Sequence, residues 1–427
     1  MPDLTTQMLP DLQSHRLPGL NLDETYIYPN YQGRSILNIP GSVCRLLGAP
    51  EIAAPGLEAQ IQALLGEEAR QVILILVDAL SLARLQRWMA DGTAPVWQKA
   101  VEGGSLLPLT SVTPSTTSAA LTSLWSGRSP AEHGTVGYEL WLKEYGVVTN
   151  MILHAPINFR GEVGTLQKAG FNAETALPFS TMGQHLKEHG VNTYALQHHS
   201  ILRSGLSKMF FKDVESHGFG THSDLWVNLR HLVETTRSQR QFIWVYWGEV
   251  DHFSHLYAPD DERTVAEFAA FSRAFDELFL SRLSPAARRG TVVLLTADHG
   301  QLTTHKHPHY ELRNHPELAR LLHINPTGEN RLMYLYPRPG QVQAVREYIE
   351  QAWPEQFAFI DPAEAVAKGL FGPGEPHPRL LDRIGDLIAA GRQDAYLWWP
   401  NGDNPLTGRH GGLSPDEMLV PLLSFRP

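Results

Sequence analysis

Three apolar stretches of this chain each lead into an aspartate. They are VILILVD at 72–78, FIWVYWGEVD at 242–251 and TVVLLTADHG at 291–300, and their aspartates are Asp78, Asp251 and Asp298. Runs this rich in β-branched residues are typical of parallel strands that are buried on both faces. The carboxyl ends of parallel strands meet at one edge of a sheet, so three carboxylates are expected there. Helical stretches lie between the strands, which predicts an α/β fold with a doubly wound, mostly parallel sheet flanked by helices.

The remaining sequence suggests a division of the 427 residues into three parts. Residues 1–68 are rich in Pro, Gly and Asn and are interpreted as a lead-in that packs on the core. Residues 69–305 and 376–427 contain the alternating strands and helices and are predicted to form the core. The segment 306–375 lacks this regular alternation and is predicted to be a small α+β insertion. It lies between two segments of the site in the sequence and could fold over the site as a lid.

Charge and composition exclude several classes of protein. A net charge of −10 argues against a nucleic-acid polymer as the main partner, because such proteins usually carry a basic face. The single cysteine, Cys44, excludes an internal disulfide and fits a reducing compartment. The start of the chain lacks the pattern of a signal peptide, and no apolar run approaches the ~20 residues of a membrane span. We therefore expect a soluble, cytoplasmic protein; its oligomeric state cannot be inferred.

Several potential metal ligands lie in short segments that are far apart in the sequence. Together they offer three aspartates, three histidines and one hydroxyl group, which is a ligand set for two zinc or manganese ions. A hydroxyl nucleophile beside two such ions is a recurrent means of attacking a phosphorus ester. Taken singly, an aspartate at a strand end is often a helix cap and a histidine is often a core or surface residue. The set is Asp78, Thr117, Asp251, His255, Asp298, His299 and His410.

Thr117 belongs to a cluster of hydroxyl residues that predicts the start of a helix. Pro114 and the residues PSTTS are helix-start signals, and AALTSLWSG then continues as a helix to Gly127. Backbone N–H groups and the helix dipole favour an anion at such a position. Hydroxyl clusters of this kind also occur simply as helix caps.

The segment PSTTSAALTSLWSGRSPAEHG resembles the nucleophile segment of the type I phosphodiesterase/nucleotide pyrophosphatase family, within the alkaline phosphatase superfamily. Thr117, Gly127, Pro130 and His133-Gly134 stand at the offsets of that family's motif. The resemblance covers about 70–305 and the last 20 residues. It implies an alkaline phosphatase-like fold, with 69–305 and 376–427 as the catalytic core, and a hydrolase of phosphate esters that forms a covalent phospho-threonine at Thr117.

The same resemblance assigns the ligands of the two metal ions. Asp78, Asp298 and His299, with the Thr117 oxygen, are implied to bind one ion. Asp251-x-x-x-His255 matches the family's D-x-x-x-H, and His410 fits its third, C-terminal histidine; these three residues are implied to bind the other ion. Zinc is favoured over manganese by the ligand chemistry and by the resemblance.

Substrate recognition is where the sequence departs from the family. The family often has an asparagine a few residues after His-Gly, and Tyr138 stands there in this chain. We expect the Tyr138 hydroxyl to donate a hydrogen bond to the phosphoryl group from further out; simple packing is the alternative. Trp247, Phe253 and Tyr257 could join it in an aromatic wall, although aromatics near a strand end are equally often core residues. The histidines of HKHPH, at 305, 307 and 309, are interpreted as an exposed loop.

The expected substrate is a small phosphorylated molecule such as a nucleotide or a phosphodiester. A hydrolase that cleaves a C–P bond, like phosphonoacetate hydrolase, has a similar ligand set and remains an alternative. A phosphomonoesterase is a second alternative, and a non-catalytic scaffold with structural metals is a more distant one. A sulfatase is disfavoured because no C/S-x-P-x-R segment stands at this site.

Overall fold

The computed structural model describes residues 3–20, 22–157 and 162–427. Its strands are β1 (Gln71–Val77), β2 (Ser105–Thr110), β3 (Glu139–Leu142), β4 (Val147–Asn150), β5 (Ala155–Pro156), β6 (Asn192–His198), β7 (Glu215–Phe219), β8 (Gln241–Trp247), β9 (Thr291–Thr296), β10 (Leu302–Thr303), β11 (Leu322–Glu329), β12 (Leu332–Pro337), β13 (Phe357–Ile360), β14 (Leu387–Gly391), β15 (Gly408–Arg409) and β16 (Leu419–Phe425).

The α-helices alternate with the strands through most of the chain. They are α1 (Thr5–Ser14), α2 (Ile39–Leu46), α3 (Ala59–Leu65), α4 (Leu82–Ala90), α5 (Pro95–Gly103), α6 (Thr117–Ser126), α7 (Pro130–His133), α8 (Met182–Glu188), α9 (Gly205–Phe210), α10 (His222–Thr236), α11 (Glu249–Tyr257), α12 (Glu262–Ala274), α13 (Pro285–Arg288), α14 (Pro316–Leu321), α15 (Val342–Ala352), α16 (Pro362–Ala367), α17 (Leu380–Ile384) and α18 (Pro415–Met418). In the three described ranges, none of these helices combines the length and the apolar character that a bilayer crossing requires.

A seven-stranded sheet in the order β2-β16-β9-β1-β8-β6-β7 forms the centre of the protein. β1 pairs in parallel with both β8 and β9, and β6 pairs in parallel with β7 and β8. β16 is antiparallel to its neighbours β2 and β9. Every residue of β1 and β9 is buried, as expected of strands covered on both faces. The predicted mostly parallel sheet flanked by helices is thereby confirmed.

A second seven-stranded sheet has the order β13-β14-β12-β11-β3-β4-β5. Its members come from 139–156, 322–360 and 387–391, so it extends on both sides of the segment 306–375. The described part of 1–68 contacts both sheets. The Leu4 N–H donates to the Leu106 oxygen of β2 at 3.0 Å, and the Tyr26 hydroxyl donates to the Ala390 oxygen of β14 at 3.1 Å.

Candidate active site

The three aspartates that follow the apolar stretches lie at one edge of the central sheet. β1 is flanked by β8 and β9, and the three strands end in register, with Val77 opposite Trp247 and Leu76 opposite Thr296. Asp78 follows β1 directly, Asp298 lies two residues beyond β9, and Asp251 lies in the first turn of α11, just after β8. The sheet topology thus brings the three carboxylates together.

Burial and mutual repulsion shift the pKa values of these carboxyl groups. Burial raises the pKa of Asp78 well above its usual range, and the charges of Asp298 and Asp251 raise it further. Burial, followed by the charge of Asp251, raises the pKa of Asp298 to about 7. Burial also acts to raise the pKa of Asp251, but the neighbouring His255 and His410 hold it below its usual range.

The three predicted histidines present the same ring nitrogen to the site. In each, Nδ1 lies within hydrogen-bond distance of a backbone carbonyl oxygen, which can only accept. Nδ1 therefore carries a proton in each ring, which leaves Nε2 as the nitrogen available to a metal ion, the arrangement usual for a metal-binding histidine. The contacts are His255 Nδ1 to the Gly408 oxygen at 2.8 Å, His299 Nδ1 to the Gly300 oxygen at 3.0 Å, and His410 Nδ1 to the Ser115 oxygen at 3.1 Å.

The ligand atoms form two groups that share one histidine. Atoms of Asp78, Asp298 and His299 lie within 4.8 Å of one another, and so do atoms of Asp251, His299 and His410. The first group has the predicted composition. In the second, His299 stands where His255 was expected, and His255 lies beside the group, its Nε2 3.3 Å from Asp251 Oδ1.

Unpartnered carboxylate oxygens show that these groups suit metal ions. Oδ1 of Asp78, Oδ1 of Asp251 and Oδ2 of Asp298 are buried and lack a hydrogen-bond partner among the described residues. Buried charged oxygens without a partner are costly, and coordination of a cation removes that cost. Backbone N–H groups of Ala79 and His299 donate to the other oxygen of Asp298, at 3.3 and 3.0 Å, and so fix its orientation. The donor set of carboxylate oxygens and imidazole nitrogens fits divalent metals.

Thr117 is the first residue of α6 and is buried beside the first group. Its Oγ1 lies 3.1 Å from His299 Nε2 and 3.5 Å from Asp78 Oδ2. The helix ends, as the sequence predicts, at Gly127, which adopts the left-handed conformation with φ of 64°. Thr117 is thus held at a helix N-terminus, where an anion is favoured.

The hydroxyl groups next to Thr117 are engaged elsewhere. Ser115 Oγ donates to the Gly412 oxygen at 2.6 Å, and Ser118 Oγ donates to the Gly137 oxygen at 2.8 Å. Thr116 lies beside the Glu329 carboxyl group, with which its side chain is hydrogen-bonded. Of these neighbouring hydroxyls, Thr117 is therefore the one within reach of both Asp78 and His299.

Tyr246 is a residue of the site that the sequence reasoning missed. It lies on β8, and its hydroxyl group donates a hydrogen bond to Oδ2 of Asp78. Burial raises the Tyr246 pKa well above its usual range, and the charge of Asp78 adds to the effect, so the hydroxyl keeps its proton. Its position in the apolar stretch FIWVYW suggested only core packing, and no signal in the sequence distinguished it.

A cavity of about 480 Å³ opens next to Thr117 and is bordered by the second sheet. Tyr138 lines it, whereas Trp247, Phe253 and Tyr257 do not. Trp247 instead packs in the core between Phe219 and Phe271, with ring centroids 6.0 and 4.9 Å away. The lining also includes residues that the sequence analysis did not identify, and these are Glu139, Ile152, Gly328, Glu329, Asn330, Trp398, Trp399, Pro400, Leu406 and Arg409. They come from chain segments whose meeting depends on the second sheet.

The histidines at 305, 307 and 309 do not line this cavity. His305 is exposed and its Nδ1 lies 3.2 Å from Asp394 Oδ2, while His309 Nε2 lies 2.9 Å from the Ala352 oxygen. The three histidines are exposed, which agrees with the interpretation of this segment as an exposed loop.

Comparison with solved structures shows a shared fold at low sequence identity. Phosphonoacetate hydrolase from Sinorhizobium meliloti 1021, in complex with phosphonoformate, aligns with a TM-score of 0.59 and 20% identity, covering 84% of this chain and 90% of that chain. Murine ectonucleotide pyrophosphatase/phosphodiesterase 5, in an inactive form with bound AMP, aligns with a TM-score of 0.58 and 15% identity, covering 82% and 87%. The human protein of that name aligns with a TM-score of 0.57 and 15% identity, covering 83% of this chain and 87% of that chain.

The sequence itself identifies the family. No match was found among curated protein sequences. The sequence pattern of the family described as "Type I phosphodiesterase / nucleotide pyrophosphatase" matches residues 72–413, well over half of the chain. The matched range includes every residue of the two ligand groups and Thr117. The chain belongs to the type I phosphodiesterase/nucleotide pyrophosphatase family and is thus a phosphoric ester hydrolase.

Proposed function

We propose that this protein is a metal-dependent phosphodiesterase or nucleotide pyrophosphatase that acts through a covalent phospho-threonine on Thr117. The observation that carries the proposal is the position of Thr117 Oγ1, 3.1 Å from His299 Nε2 and 3.5 Å from Asp78 Oδ2 at the start of α6. Family membership supplies the reaction class. The AMP and the phosphonates bound by the structural neighbours are consistent with a small phosphorylated substrate.

Two divalent ions would be held by the two ligand groups. Asp78, Asp298 and His299 would hold one, and Asp251, His255 and His410 the other, with His299 close enough to contribute to both. Zinc is favoured by the three imidazole and three carboxylate ligands, and manganese is the alternative. When bound, such ions supply Lewis-acid stabilisation of negative charge on phosphoryl oxygens and on a nucleophilic oxygen.

The chain's own residues then account for the steps of the reaction. Thr117 Oγ1 forms a bond to phosphorus while the bond from phosphorus to the ester oxygen breaks, and the alcohol leaves with a proton. Backbone N–H groups in the first turn of α6 face the phosphoryl group attached there and stabilise its charge. Water then attacks phosphorus, the bond to Thr117 breaks, and the hydroxyl group is restored. Asp78, oriented by Tyr246, and His299 hold the position of the nucleophile.

Replacement of Thr117 tests this proposal. The wild type, reconstituted with Zn²⁺ or Mn²⁺ after metal removal, is expected to hydrolyse p-nitrophenyl thymidine monophosphate faster than p-nitrophenyl phosphate. Thr117→Ala is expected to lower kcat by about 10³-fold or more, because no other group replaces the nucleophile. Its metal content, measured by atomic emission, is expected to stay at that of the wild type.

Ser126→Ala is a matched control at the other end of the same helix. Ser126 Oγ donates to the Thr122 oxygen at 2.6 Å and does not reach the site. We expect this variant to retain kcat within a few-fold. Normal turnover by Thr117→Ala would rule out the covalent scheme, whereas faster cleavage of the monoester would correct the assignment to a phosphomonoesterase.

A further inference from the structure

Gln301 links the segment that carries Asp298 and His299 to a candidate ligand of the other group. It lies two residues after His299 and is completely buried. Its Nε2 atom lies 2.9 Å from Nδ1 of His255. Its backbone oxygen accepts a hydrogen bond from Arg84 Nη2 at 3.3 Å, which anchors the residue on α4. One ligand segment thus contacts, through Gln301, a ring that is assigned to the other ion.

A two-stranded sheet fixes the position of Gln301 relative to His255. β10 begins directly after Gln301 and pairs in antiparallel register with β15, with Thr303 lying opposite Gly408. The Thr407 N–H, which precedes β15, donates to the His255 oxygen at 2.7 Å and holds the end of α11 on the same sheet. Backbone hydrogen bonds therefore place the Gln301 side chain next to the His255 ring.

His255 is the least enclosed of the three candidate histidine ligands. Its side chain is 23% exposed, whereas the exposed fractions are 9% for His410 and 0% for His299. Its Nε2 atom lies 3.3 Å from Asp251 Oδ1, beside the second ligand group rather than within it. The partners of the outer nitrogen fix the orientation of a ligand histidine. The contacts of Nδ1 therefore decide whether Nε2 of this ring stays directed toward an ion.

The proton on His255 Nδ1 determines which end of the Gln301 amide faces the ring. Nδ1 lies 2.8 Å from the Gly408 oxygen, which can only accept, so Nδ1 is a donor. An NH₂ group facing it would set two donors against each other. Oε1 of Gln301 is buried and lacks a partner among the described residues, so half a turn of the amide gives up no hydrogen bond of that oxygen. The two ends of an amide are nearly identical in shape, and their hydrogen-bond partners therefore select the orientation with Oε1 toward Nδ1.

We propose that Gln301 is a positioning residue for the second metal ion, with its Oε1 atom accepting a hydrogen bond from the Nδ1–H group of His255. The ring N–H is then shared by two acceptors, Oε1 and the Gly408 oxygen. Both restrict rotation of the ring and keep Nε2 directed toward Asp251, where this ion would bind. The inference rests on the proposed function for the presence of two ions. It makes a ligand of the second ion depend on the chain segment that holds the first.

Replacement of Gln301 by methionine tests this role through metal binding. Methionine is of similar length and volume, but its thioether is only a weak acceptor for Nδ1–H. Titration of the metal-stripped protein with Zn²⁺ against a chelating dye measures the two binding steps separately. Gln301→Met is expected to weaken one step by about 10–100-fold and to leave the other within about threefold. Gln301→Glu keeps an acceptor oxygen at the same length and is expected to restore both steps to within about tenfold of the wild type.

A proton resonance of the ring separates positioning from a general loss of structure. In the Co²⁺-loaded protein, the paramagnetic ion shifts the N–H protons of ligand imidazoles far from other signals. One of these resonances, absent in His255→Gln, is expected to exchange with solvent about tenfold faster in Gln301→Met than in the wild type, because one of its two acceptors is lost. Gln197→Met is the matched control, since Gln197 is also buried and its Nε2 donates to Ser207 Oγ at 2.8 Å, away from the ligand groups. This control is expected to change neither the binding steps nor the resonance.

The outcomes distinguish this inference from the proposed function, because metal binding requires no turnover. Wild-type affinity for both ions in Gln301→Met, or an equal loss in Gln197→Met, would overturn the positioning role and leave the proposed hydrolysis intact. Selective weakening of one ion in a protein that hydrolyses no ester would support the role of Gln301 and overturn the proposed reaction. Binding of only one ion by the wild type would overturn both.

Discussion

Asp78 is oriented within the candidate site by a hydrogen bond from the adjacent strand. The Tyr246 hydroxyl group donates to Oδ2 of Asp78. Oδ1 has no hydrogen-bond partner in the described ranges and lies 3.4 Å from His299 Nε2. A partner on one oxygen fixes the plane of the carboxylate and therefore the direction of the other oxygen. Tyr246 is in this sense a positioning residue for a candidate metal ligand.

Tyr246→Phe is predicted to weaken metal binding by roughly tenfold, because groups that orient metal ligands contribute about that much to affinity. Competition with a chelating dye for Zn²⁺ would measure the change. Tyr336→Phe is the control: its hydroxyl group is also buried and donates to the Arg383 oxygen at 2.8 Å, away from the site. The control is expected to retain zinc affinity, and a similar loss in both variants would contradict the positioning role.

At the residue level, the sequence allowed the candidate ligands to be placed near one another but not the residues around them. Asp78, Asp251 and Asp298 could be placed together because strand ends share an edge in a parallel sheet. Glu329 and Trp399 could not be placed, since nothing local marks a side chain that meets the site through the second sheet. The sharing of His299 between the two groups was also unpredictable, because ring orientation depends on the carbonyl oxygen that Nδ1 meets.

At the level of elements, the order of the central strands determines which residues meet in the candidate site. β1 lies between β8 and β9, so the two sequence-distant aspartates fall on either side of Asp78. The parallel arrangement of these strands could be predicted from the sequence, because buried parallel strands are continuous apolar runs. The segment 306–375, predicted to be an α+β insertion, contains β11, β12 and β13 of the second sheet. The other strands of the second sheet are β3, β4 and β5, from 139–156, and β14, from 387–391. Their antiparallel pairing with β11 and β12 could not be predicted, because no local sequence pattern marks a pairing between strands so far apart in the chain.

A buried ion pair connects the turn before β12 with α18 near the His410 loop. Arg331 Nε and Nη2 lie 2.9 and 3.0 Å from the two carboxylate oxygens of Glu417, and both side chains are fully buried. Glu417 also accepts the Gly412 N–H at 2.9 Å. The pair therefore fixes the loop that carries His410 against the second sheet.

Arg331→Gln is predicted to reduce the free energy of unfolding by about 3–5 kcal/mol, because it leaves the buried Glu417 charge without its partner. Urea denaturation monitored by tryptophan fluorescence would measure the loss. Arg320→Gln removes an exposed pair with Glu317 and is expected to cost about 0–1 kcal/mol. Equal effects of the two substitutions would show that the Arg331–Glu417 pair does not stabilise the junction between the loop and the sheet.

For the molecule as a whole, the candidate site is a source of instability when metal is removed. Asp78 and Asp298 are buried beside Asp251, and their desolvation and the repulsion between the charges oppose folding as Asp78 and Asp298 ionise. A metal ion that binds only the folded state reverses this effect and stabilises the protein by mass action. Global stability should therefore depend jointly on pH and on metal.

The direction of that dependence follows from Asp298, whose pKa is raised from 3.8 to about 7 in the folded protein. A raised carboxyl pKa means that the folded state holds the proton more tightly, so its stabilising effect is full below pH 3.8 and is lost as pH rises through about 7. Asp78 shifts in the same direction, whereas Asp251, with its lowered pKa, titrates below this window. Buried histidines with lowered pKa values, such as His133 and His154, change stability in the opposite direction. The carboxyl effect is therefore predicted as a difference: relative to Asp298→Asn, the metal-free wild type should lose melting temperature between pH 5 and pH 8.

Thermal melts of chelator-treated protein across this range would measure the effect, with and without added Zn²⁺. Added metal should raise the melting temperature more at pH 8 than at pH 5, because ligand carboxylates must lose their protons to bind it. Asp298→Asn removes the titrating group, so the melting temperature of the metal-free wild type minus that of this variant should decrease as pH rises from 5 to 8. If that difference instead increased toward pH 8, the Asp298 carboxyl group could not have a raised pKa in the folded protein.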